Sequence, residues 1–99
     1  MTTSPIRFFE LALEEVSEAE RYYSSRSLLL GSEFVDALDH AVARIRAFPE
    51  SGGPHVGGTR RLLLDRFPFS VIYEVTEGEI VIVAVAHQRR KPGYWRNRR

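Results

Sequence analysis

The chain has 99 residues, 43% of them hydrophobic and 27% charged, and contains no cysteine. That length predicts one domain spanning 1–99 with a modest core, and the missing cysteines exclude disulfides, thiolate zinc sites and a thiol nucleophile. The formal net charge of +1 hides an asymmetry: residues 1–58 carry five Lys/Arg against nine Asp/Glu, and residues 59–99 carry nine against four. No apolar run approaches the roughly 18–20 residues that span a bilayer, so no membrane partner is expected. The opening MTTSPIRFFE lacks the cationic and apolar segments of a leader, which makes the cytoplasm the expected location.

Ile6 and Phe8 begin in an extended stretch. From about Leu11 the apolar positions Leu13, Val16, Ala19 and Tyr23 take helical spacing, with Glu14, Glu15, Glu18 and Glu20 outside. Tyr23 is expected in the core and Tyr22 at a boundary with a partner, while Glu14, Glu18 and Arg21 fit a solvated helix face. Gly31 interrupts the pattern, and Ser32 is the expected cap of a second helix with the stripe Phe34, Leu38, Ala41, Ile45 and Phe48, ended by Pro49. ESGGPHVGG, with four glycines and a proline, reads as loop. Three runs rich in Leu, Ile and Val follow: RRLLLD, FSVIYEV and EIVIVAVA. Arg66, Phe67 and Pro68 turn between the first two, and Thr76, Glu77 and Gly78 make a hairpin between the last two. With Tyr73 toward the helices, Glu74 falls on the open sheet face with Ser70. The reading is an α+β domain, β-α-α-β-β-β, with two helices on one face of a mainly antiparallel sheet and a basic C-terminal tail, 87–99.

That tail, HQRRKPGYWRNRR, holds six cations, two aromatics and no acid. Such a surface favours phosphate backbones or acidic protein partners. Its aromatics either stack on bases or fold back, and Trp95 is expected to fold back as a latch, leaving Arg89, Arg90, Lys91 and Arg96 exposed. Arg60 and Arg61 begin a strand and point to opposite faces, so at most one meets a ligand and the other is expected to pair with the acidic helices. His40, His55 and His87 show no metal-ligand spacing, and no metal or cofactor is expected. His87 reads either as a polar strand end or as a functional group opening the basic tail.

EAERYYSSRSLLLGSEF, the helix end from Ile45 to Pro49, RRLLLDRFPFSVIYEV and AVAHQRRKPGYW together resemble the RelE/ParE superfamily of type II toxin–antitoxin toxins, over Arg7 to Trp95. The resemblance implies a bacterial growth-arresting toxin silenced by an antitoxin whose disordered arm folds around it; the basic tail adds that this arm should be acidic and studded with apolar residues. One branch of the superfamily cuts mRNA on the ribosome, and the ParE-like branch poisons DNA gyrase. Metal-independent RNA cleavage needs a base for the 2′-hydroxyl, cations on the phosphate and an acid for the leaving oxygen.

The nuclease pattern is only partly matched. Arg61 stands where the nucleases place a cation, but Leu63 and Ser70 occupy two further cationic positions. If the protein is a nuclease, the catalytic candidates are Arg61, His87, Arg90 and Tyr94. Arg60, Arg89, Lys91, Arg96, Arg98 and Arg99 are the candidates for binding target or antitoxin. The missing cations favour the ParE-like branch, with gyrase as partner. The alternatives are an mRNA endonuclease acting on the ribosome, and an inactive toxin or non-catalytic nucleic-acid-binding module.

Overall fold

A computed structural model describes residues 4–98. Its elements are β1 (Ile6–Phe8), α1 (Glu10–Arg26), α2 (Leu28–Ala47), β2 (Gly53–His55), β3 (Thr59–Leu63), β4 (Phe69–Val75) and β5 (Ile80–His87), with short 3-10 turns at Val56–Gly58 and Arg96–Arg98. The strands form one sheet in the order β1-β5-β4-β3-β2, with β1 parallel to β5 and every other pair antiparallel. Both helices cover one face. The architecture is the expected α+β arrangement with one additional strand.

That strand is β2, which lies inside the segment read as loop. Gly53, Pro54 and His55 pair with Arg61, Arg60 and Thr59 at the sheet edge. An edge position tolerates a proline, whose missing N–H costs no ladder bond. A second correction concerns the helix break. α2 begins at Leu28, capped by Ser27, whose Oγ accepts the Leu30 N–H at 3.3 Å. Ser27 alone joins the two helices, in extended conformation, and Ser32 lies inside α2. Gly31 is there for close packing rather than interruption: a Cβ would come 1.9 Å from Ser24 Oγ on α1.

The inner face of α1 also differs from the expected stripe. Ala12 and Ala19 are buried, Glu15 and Val16 lie half-buried beside them, and Leu13 is 50% exposed. On α2, Phe34, Leu38, Ala41 and Ile45 are buried as expected, but Phe48, past the last helical turn, is 68% exposed. Tyr23 points inward as expected, stacked on Phe34 at 5.4 Å and edge-on to Phe67 at 5.0 Å. Tyr22 faces out under the Arg26 guanidinium.

β5 is apolar throughout because both of its faces are covered. Ile80, Ile82 and Val85 face the helices, whereas Val81, Val83, Ala84 and Ala86 form a second small core with Ile72 and Trp95. A bulge makes this possible. Ile72 pairs with Ala84 and Tyr73 with Ile82, so Val83 is passed over and both Val83 and Ala84 turn to the Trp95 side. Tyr73 is buried toward the helices; its phenol donates to Pro49 O at 2.7 Å and accepts the Gly52 N–H at 2.9 Å, which fastens the loop after α2. No helix among the described residues is long and apolar enough to cross a membrane.

Candidate functional site

Besides the outer edges of β1 and β2, the sheet leaves part of β5 without a strand neighbour. β1 pairs only with Ile80–Ile82, so the second half of β5 has no strand neighbour on that side. Unpaired backbone groups near a core are costly, and here side chains meet them. Glu15 Oε1 accepts the Val85 N–H at 3.0 Å, and Arg98 Nη1 donates to Val83 O at 3.1 Å. The two side chains also bind one another in a fork: Arg98 Nη1 to Oε1 and Nη2 to Oε2, each at 2.9 Å. Tyr94 adds its phenol to Oε2 at 2.5 Å.

Arg98 and Glu15 keep only 13% and 15% of their side-chain surface exposed. Desolving such a pair costs several kcal/mol per ion, which is offset here because the charges are matched in a bidentate pair and bonded further to backbone and phenol. The environment fixes protonation states accordingly. Burial first, and then the hydrogen bond to Glu15, push the Tyr94 phenol far above its ordinary range. The hydrogen bond to Glu15 leads the causes that raise Arg98. Tyr94 is therefore a neutral donor at any physiological pH.

This clamp fastens the tail, and Trp95 seals it. Gly93, at φ +83°, turns the chain, and Trp95 then lies 1% exposed on the open sheet face, the latch expected from the sequence. Arg90 lies over the Tyr94 ring at 3.8 Å. Arg89, Lys91 and Arg96 are exposed, as expected. Arg98, placed among the outward-binding cations by sequence, is turned inward into the clamp. Arg99 lies outside the described residues.

The remaining candidates separate onto two faces. Arg60 shares the Tyr73 side, where its Nη1 donates to Gly52 O at 2.7 Å, and to Glu50 O at 3.4 Å. Loop carbonyls, rather than the expected helix carboxylates, are its partners. Arg61 stands exposed on the opposite face, in line with Leu63 and beside buried Ser70. His87 packs edge-on against Phe69 at 5.1 Å, and its Nδ1 accepts the Arg89 N–H at 3.0 Å. Arg61, His87, Arg90 and Tyr94 all border one pocket of about 110 Å³ on the open face. The structure thus brings the four catalytic candidates together, but with the Tyr94 hydroxyl and His87 Nδ1 already engaged.

The family model for the ParE toxin of the type II toxin–antitoxin system parDE matches residues 6–92. The chain belongs to the ParE toxin family. Its fold is similar to a solved structure described as a chromosomal ParDE toxin–antitoxin system from P. aeruginosa, at a TM-score of 0.69 and 20% identity, covering 86% of this chain and 96% of that one. No curated protein sequence matches the chain.

In this ParE toxin the residues that sequence reasoning missed are Glu15 as clamp and Arg98 as its partner. One signal was present: Glu15 stands three residues after Ala12 and four before Ala19, on the same helix side as both buried alanines. An acid within an apolar stripe requires a cation, but nothing local says that the cation is 83 residues away.

Proposed function

We infer that this ParE toxin arrests growth by binding and poisoning DNA gyrase, and that an antitoxin silences it. The observation that carries the choice of target is the condition of the groups an RNA-cleaving site would use. Tyr94 is kept protonated and donates to Glu15, which leaves it a poor acid or base. His87 has one ring nitrogen occupied by the Arg89 amide. Leu63 and Ser70 supply no charge beside Arg61. That combination supports a surface that binds rather than one that cleaves, and the family's ParE assignment agrees with it.

The contact surface in this reading is the outward strip of Arg89, Lys91 and Arg96, held in shape by the clamp beneath it. The same strip suits the acidic, apolar-studded arm expected of the antitoxin, with charge giving the association rate and buried apolar anchors the affinity. Inhibition of DNA supercoiling by gyrase is the test, read with purified toxin, with trapped cleaved DNA as signature and cognate antitoxin as control. Inhibition relieved by antitoxin is the expected result. Folded toxin that leaves gyrase untouched overturns the reading and moves the target to mRNA on the ribosome, where transcript ends mapped within codons would follow induction. A chain that arrests no growth at all would be an inactive toxin or a nucleic-acid-binding module.

A further inference from the structure

The pocket on the open sheet face adds His55, Arg61 and Ser70 to Lys91 of the exposed strip and Tyr94 of the clamp. His55 comes from β2, Arg61 from β3, Ser70 from β4, and Lys91 and Trp95 from the tail. The floor is made of small residues, with Ser70 and Ala86 paired across β4 and β5. His87 and Arg90 stand at its border, and none of its lining residues is acidic. Neither Arg61 nor Lys91 forms an ion pair with another described residue. Glu74 lies on the same face, two positions beyond Ile72 along β4, but does not line the pocket. Burial first, and then the nearby Arg61 charge, depress the His55 pKa, so the imidazole favours its neutral form while the pocket holds no anion. Its volume of about 110 Å³ corresponds to a few waters at about 30 Å³ each, the size of a single tetrahedral oxyanion rather than a nucleotide.

We propose that this pocket binds one phosphodiester group of a nucleic-acid strand, with Arg61 and Lys91 as the charged contacts, His55 as a third donor once protonated, and no cleavage. The site positions a strand against the toxin whatever protein the toxin targets, so it stands or falls separately from the gyrase reading. Binding is governed by charge and carries a salt dependence of about 0.7 log units per phosphate neutralised on a single strand.

The test is an NMR titration of the whole chain with inorganic phosphate, followed by salt-dependent affinities for short single-stranded DNA and RNA of one sequence. The expected result is that His55, Arg61 and Lys91 resonances move together, that the His55 pKa rises on binding, and that oligonucleotide affinity increases as His55 protonates. Arg61→Ala should lower the salt slope by about 0.7, and Arg61→Lys should retain it. Equal DNA and RNA affinity assigns recognition to the phosphodiester alone; tighter RNA binding adds the 2′-hydroxyl and makes RNA the natural strand. Shifts confined to Arg89 and Arg96, or an unchanged slope in Arg61→Ala, overturn the site. Should Arg61→Ala fail to fold, the His55 titration in the unsubstituted chain decides alone: a His55 pKa unmoved by saturating phosphate rejects the pocket.

Discussion

Arg96 and Arg98 lie two residues apart in one 3-10 turn and have opposite roles. Arg96 is exposed, whereas Arg98 is held by both oxygens of Glu15 and by Val83 O, with 13% of its side chain in contact with solvent. The comparison shows that a basic tail is not one surface. Its inner cation secures the edge of β5, and its outer cations are positioned because that edge is secured. With three residues to a 3-10 turn, positions 96 and 98 point about 120° apart, a separation that a charge count merges.

The sharpest break in this contrast is Trp95→Ala. Trp95 is 1% exposed and fills the space over Ile72, Val81, Val83, Ala84 and Ala86. Truncating a buried tryptophan costs about 3–5 kcal/mol, so the variant should lose a large part of its folding stability in urea and release the tail. A substitution that moves the denaturation midpoint no more than a surface change does would mean that the tail is held by the clamp alone.

Next in size is Glu15→Ala. Removing one partner of a buried ion pair strands the other, at about 3 kcal/mol, and here it also frees the Val85 amide and the Tyr94 hydroxyl. Arg98→Ala should cost a similar amount, and the double variant less than the two losses together, because the second removal no longer strands a charge. Additive losses in that cycle would show that the two residues act separately.

The clamp also predicts an alkaline effect. Tyr94 has its pKa raised in the folded chain above the value of about 10 of an unfolded tyrosine. A raised folded value means that the stabilisation is complete below pH 10 and is lost as pH climbs above the unfolded pKa. Phenolate absorbance should therefore show the Tyr94 step arriving only with unfolding. Tyr94→Phe should remove the late step and cost about 1.5–3 kcal/mol at neutral pH, the range for a hydrogen bond to a charged group.

These tests follow from what the chain made legible and what it did not. β4 and β5 were legible because each is long, apolar and bounded by turn residues, and the Trp95 latch because a large aromatic among cations needs an apolar cover. β2 was not, since three residues including a glycine and a proline have no periodicity, and their strand character comes from Arg60 and Thr59 opposite. Gly31 misled because glycine signals both helix ends and close helix contact, and Ser24 across the hairpin decides between them. In the site, Arg61 and Arg60 were correctly separated onto two faces by strand alternation. The convergence of His55 on Arg61 depends on β2 and was invisible without it. The partner of Glu15 was equally hidden, because the need for it arises from where β1 ends.

The smallest effect on stability should come from the outer cations, and it sharpens the contrast most. Deleting residues 89–99 would remove Tyr94, Trp95 and Arg98 along with the exposed strip, so it confuses scaffold with surface. Arg89→Glu with Arg96→Glu keeps the clamp and latch intact, because neither side chain forms an ion pair with another described residue. Folding stability should then stay within about 0.5 kcal/mol of the unsubstituted chain, the usual range for surface changes. Antitoxin association, measured by rate against ionic strength, should slow and lose part of its salt dependence, since the reversed charges act on long-range attraction more than on buried contacts. Unchanged association kinetics with unchanged stability would place the antitoxin on the helix side and leave the strip to the toxin's target alone. A fall in stability as large as that of Glu15→Ala would erase the distinction between inner and outer cations from which the comparison began.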